Sequence, residues 1–76
     1  MSHVIERGIV RGFGPVEKIL VDGRWVGMVY RDPCPRSGLD ERWIAYTQGA
    51  QSTDSREDAI QRVVHHAAHS PGFQLD

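Results

Sequence analysis

The chain has 76 residues, 39% of them hydrophobic, with nine basic and ten acidic side chains and a net charge of −1 when histidines are neutral. That balance argues against a simple polyanion binder, and a single cysteine excludes an internal disulfide and suits a reducing cytoplasm. No apolar run is long enough to span a membrane or to act as a secretory signal, so one small cytoplasmic domain with a marginal core is expected.

Residues 1–11 contain "HVIERGIV", β-branched and polar residues in a mixture that suits a first strand, weakened by Gly8. "GFGP" at 12–15 reads as a turn, with glycines for unusual backbone angles and Pro15 fixing the next. The stretch 16–31 reads as a hairpin. "VEKILV" leads into Asp22-Gly23, a pair suited to a type I′ turn with φ above zero at both positions, and "RWVGMVYR" returns. "DPCPRSGLDE" at 32–41 carries two prolines and a glycine and must be a loop. "RWIAYTQ" at 42–48 is the next strand, and "GAQSTD" reads as a connector.

From Ser55 the period changes. Ala59, Ile60, Val63, Val64 and Ala67 recur at helical spacing, which predicts a helix over 55–69. Ser55 is placed to cap it, Glu57 and Asp58 complement the dipole, and Pro71-Gly72 ends it before the tail 70–76. The expected fold is α+β: a small antiparallel sheet of three to four strands packed against one C-terminal helix.

Pairing across Asp22-Gly23 without irregularity places Val21, Ile19, Val26, Met28 and Tyr30 on one face. Leu20, Trp25, Val16 and Val29 then share the other. One helix covers one face, so at least one of Trp25, Tyr30, Trp43 and Tyr46 is expected to stand substantially exposed or to be covered by a partner.

Several chemistries lack the residues they need. "RGFGPVEK" at 11–18 matches part of an RNA-recognition signature, but Pro15 and Lys18 replace the aromatics that would stack on bases. His65 and His69 share a helix face as metal pairs do, yet with Cys34 as the sole cysteine and no HExxH motif, no metal site is expected. There is no phosphate-binding loop, and the acidic pairs fit a loop and a helix start. So short a chain offers little room for a ligand-sized pocket. The expectation is a non-enzyme with no cofactor and no small-molecule substrate.

"RWVGMVYRDP", "RWIAY" and "TDSREDA" together resemble the AP2-type module, which also occurs at the N-termini of phage-type integrases. The likeness spans residue 23 to about 67, although "VEKILV" lacks the family's basic first strand. It implies a three-stranded sheet plus helix that binds DNA through the sheet, with Arg31, Arg42 and Trp43 as contacts. The residues alone point to protein binding or self-association through an aromatic and arginine sheet face, because interfaces favour such anchors. The candidate binding residues under either reading are Trp25, Tyr30, Arg31, Arg42, Trp43 and Tyr46.

Overall fold

The computed structural model describes residues 3–32 and 42–69. The order of elements is β1 (His3–Val10), β2 (Gly14–Val21), β3 (Arg24–Arg31), β4 (Trp43–Tyr46), β5 (Ala50–Thr53) and α1 (Arg56–Ala67). The strands form one antiparallel meander in which sequence neighbours are spatial neighbours, β1-β2-β3-β4-β5. The α+β class with a C-terminal helix is as expected, but among the described residues the sheet has five strands rather than three to four. The additional strand is β5, "AQST", which pairs with β4 from Trp43–Thr53 to Tyr46–Ala50. Its short polar sequence lacks the apolar alternation that marks a strand.

Asp22 and Gly23 have φ of 53° and 79°, the left-handed pair a type I′ turn requires. Between β1 and β2, Gly12 has φ of 88° and the Phe13 amide donates to the Val10 carbonyl at 2.9 Å. That turn lifts Phe13 towards the sheet face, where its ring meets those of Tyr30 and Tyr46. Gly23→Val should lower stability by more than about 1 kcal/mol, because a β-branched side chain resists positive φ. An unchanged urea midpoint would contradict the turn.

The expected sharing of residues between the two faces is corrected by a β-bulge. Leu20 lies opposite Trp25 but Ile19 opposite Gly27, so Val26 is the extra residue in β3. Every residue beyond it changes face. Val29 joins Ile19, Val21 and Val26 under the helix, and Met28 and Tyr30 move to the other side with Trp25. A regular register cannot foresee this, because a single inserted residue inverts the alternation.

The helix-side core consists of Ile19, Val21, Val26, Val29 and Ala45 from the sheet with Ala59, Ile60 and Val63 from α1. Ser55 caps the helix by accepting from the Asp58 amide at 3.1 Å. Thr53, almost fully buried, places its hydroxyl 2.9 Å from the Trp43 carbonyl and 3.1 Å from that of Ser55, tying β4 and β5 to the helix start. After Ala67 the turn continues to His69, whose amide donates to the His66 carbonyl at 3.0 Å. The loop residues 33–41 with Cys34, the Pro71-Gly72 stop and the tail 70–76 lie outside the described residues.

Gly27 sets the distance between the layers. A Cβ there would lie 2.6 Å from Val63 Cγ1 and 2.9 Å from the Tyr46 carbonyl oxygen. Neither position is tolerable, and the second neighbour is backbone. Gly27→Ala should therefore cost about 1–3 kcal/mol as the helix is pushed off the sheet. Thermal unfolding checks this, and an unchanged or raised midpoint would show that the layers can part without penalty.

Candidate functional site

The face away from the helix is built by Phe13, Val16, Lys18, Leu20, Trp25, Met28, Tyr30, Ile44 and Tyr46, which follow from the register beyond the bulge. Phe13 roofs it, its ring edge-on to Tyr30 at 5.7 Å and to Tyr46 at 5.1 Å. Val16 and Met28 are buried on this side. Lys18 places its ammonium 5.0 Å from the Trp25 ring centroid, and the Trp25 indole donates to the Gly27 carbonyl at 2.8 Å. Trp25, Tyr30, Trp43 and Tyr46 are each partly buried. None is thus as exposed as expected. Phe13, supplied by the "GFGP" turn, roofs Tyr30 and Tyr46, Lys18 lies over Trp25, and Trp43 packs against the helix-side core.

At one end the sheet opens. The β2–β3 ladder stops at Glu17–Val29, while β2 stays paired with β1 back to Gly14 and β3 with β4 out to Arg31. Pro15 lies in the parted stretch of β2 and has no amide hydrogen to give a ladder. The parting leaves an open groove with a volume of about 790 Å³, within the range of ligand sites. The expectation that so short a chain offers little room for such a pocket is therefore corrected: the room comes from the parted strands rather than from the core. Phe13, Val16, Tyr30 and Ile44 line the groove from the aromatic face, and Glu17, Val29, Arg31 and Trp43 from the helix-bearing face. Arg7 and Asp32 complete its rim.

Of the six predicted residues, the groove brings together Tyr30, Arg31 and Trp43. Trp43 also packs against the helix-side core. Tyr46 is not in the groove lining but meets Phe13, which is, and Trp25 lies near the Asp22-Gly23 turn. Arg42 stands apart, paired with Asp54 at 3.1 Å. Sequence reasoning missed Phe13 and Arg7. Phe13 was legible only as part of a turn, and Arg7 needed the β1–β2 register to be placed.

Glu17 fixes the groove to the helix. Arg56 Nε donates to both of its carboxylate oxygens at 3.0 Å. These hydrogen bonds hold the Glu17 carboxyl below its ordinary value; partial burial opposes them, and the charges of Arg56 and Arg7 add to them. Burial, with Tyr46 and Asp32 nearby, raises the Tyr30 phenol. Both groups therefore hold one protonation state near neutral pH, Glu17 charged and Tyr30 neutral. Among the described residues no cluster of three or more His, Cys, Asp or Glu could hold a metal ion. His65 and His69 stack with ring centroids 4.8 Å apart. No described helix is long and apolar enough to cross a membrane.

Comparison of the chain with family models, curated proteins and solved structures yields no match.

A carboxylate with a depressed pKa stabilises the fold above its ordinary value near 4.5 and loses that contribution as pH falls through the depressed one. The Glu17 side chain is only 15% exposed but that of Arg56 is 42%, so solvent screening limits the pair to about 1 kcal/mol. Glu17→Gln should lower stability by that amount at pH 7 and flatten the acid limb below pH 5. Equal slopes in both proteins would remove the pair from the stability of the domain.

Proposed function

We propose that this is a small non-enzymatic accessory protein that binds another protein through the groove and the aromatic face beside it. The observation that carries the reading is the convergence of Phe13, Tyr30 and Trp43 with Arg7 and Arg31 where β2 and β3 part. Aromatic and arginine anchors in a concave, partly dry setting are what protein interfaces use most. Arg7 and Arg31 stand against Asp32 at the groove, while Glu17 is paired with Arg56 from outside it, so the positive excess is small. So small an excess favours an apolar segment of a protein over a phosphate backbone, which several cations must meet. The groove could admit a small ligand by volume, but its described lining residues present no paired acid and base and no nucleophile, which favours recognition over chemistry.

The alternative, a nucleic-acid module of AP2-like shape, has support in the sheet-plus-helix architecture and in the sequence likeness. Its three carried-over contacts are less favourable to it. Arg31 and Trp43 lie on the helix-bearing side by register, and Arg42 is engaged with Asp54.

Affinity capture from the native host with the full chain tests the choice. A protein should be retained with little loss between low and moderate salt. Tyr30→Glu should lose it while keeping the circular dichroism of the fold. Capture of nucleic acid whose affinity falls by about 10³–10⁵ between 50 and 200 mM salt would instead establish the alternative.

A further inference from the structure

The outer edge of β1 carries an inference that rests on a different observation from the groove, although Arg7 of this strand also stands at the groove's rim. The two large hydrophobic side chains that stand exposed among the described residues, Val4 at 59% and Ile9 at 82%, lie on this one strand and on opposite faces of it. The strand is eight residues long, has no proline or bulge, and ends the sheet. Such an edge is a template for another strand. The opposite edge, β5, has four residues and no large apolar side chain.

We propose that β1 pairs antiparallel with β1 of a second copy of this chain, about a two-fold axis through Arg7, making one continuous ten-stranded sheet. A two-fold perpendicular to a sheet keeps each face on its own side, so the axis must pass through a residue, and the side chains decide which. With the axis at Arg7, Ile9 faces the partner's Ile5 and Val4 faces the partner's Val10. Ile5 already packs at the margin of the helix-side core, so the partner's Ile9 extends that core. The same register sets the partner's Glu6 opposite Gly8. Lys18 lies over that position, its Nζ 3.6 Å from where a Gly8 Cβ would sit. The partner's carboxylate therefore arrives beside an ammonium. The neighbouring choices are poorer. An axis at Glu6 opposes two glutamates and sets Ile5 against arginine. One at Ile5 sets Val4 against glutamate, and one at Gly8 leaves Val4 overhanging. The single unfavourable pair in the chosen register is Arg7 against its own copy, and each Arg7 has Glu17 as its neighbour on β2.

Sedimentation of the full chain over a concentration series should show the mass rising from 8.6 kDa towards twice that value. Ile9→Asp should stay at the monomer mass with unchanged circular dichroism, since the side chain is exposed in the single chain. Arg7→Thr should tighten the dimer about two- to fivefold by removing the like-charge pair. In a Cys34→Ser background, Arg7→Cys should be joined by a short thiol cross-linker. Ile9→Cys should not, because its copies lie about 14 Å apart along the strand. A monomer at every concentration, a dimer that Ile9→Asp leaves intact, or cross-linking at position 9 in preference to 7 would overturn the proposal. The groove reading fails or stands separately: Tyr30→Glu should leave the dimer, and Ile9→Asp should leave partner capture.

Discussion

The close approach of Val63 to the backbone of β3 at Gly27 is the contact on which the rest of the domain depends. It needs two things at once, a position without a side chain and a sheet surface that is apolar around it. The bulge supplies the second by turning Val26 and Val29 towards the helix together with Ile19 and Val21. The same inserted residue sends Met28 and Tyr30 to the far side. One irregularity of backbone thus makes a tight aliphatic core on one face and sends Tyr30 to the other beside Phe13 and Tyr46, while Trp43 stays on the helix side. A small chain has little apolar material to divide, and this division puts the branched aliphatics where packing is closest.

The helix start is a second point of order. Arg56 occupies the first turn, where a cation is disfavoured by the helix dipole. Its bidentate contact with Glu17 offsets that cost and anchors α1 to β2, while Thr53 and Ser55 anchor it to β4 and β5. The groove lies beside this anchored end. Its aromatic and arginine walls are therefore carried on strands whose positions are set by the helix, even though β2 and β3 do not pair there.

Much of the architecture could be read from the sequence because it rests on local chemistry. Asp22-Gly23, the helix period from Ala59 to Ala67 and the Ser55 cap each act over a few residues, and each appears in the fold. What was not legible depends on contacts between distant segments. The bulge at Val26 has no sequence mark of its own beyond Gly27, whose meaning emerges only when Val63 is placed over it. β5 is a strand because β4 offers it an edge, not because "AQST" favours extension. The site was legible in kind but not in grouping: Tyr30, Arg31 and Trp43 meet, whereas Trp25 and Arg42 are held elsewhere by the register and by Asp54.

The meander has a kinetic consequence. Each ladder joins strands that are consecutive in the chain, so β1, β2 and β3 can assemble as soon as they have been synthesised, with short loops and little entropy to overcome. The helix that covers their aliphatic face is encoded after them. At ribosomal rates, the 36 residues from Arg31 to Ala67 take roughly two to seven seconds to add. During that interval Ile19, Val21 and Val29 form a ready-made but unprotected surface on the nascent chain. A chaperone that shields exposed apolar sheet would act in this window, and the arrival of Val63 over Gly27 would end it.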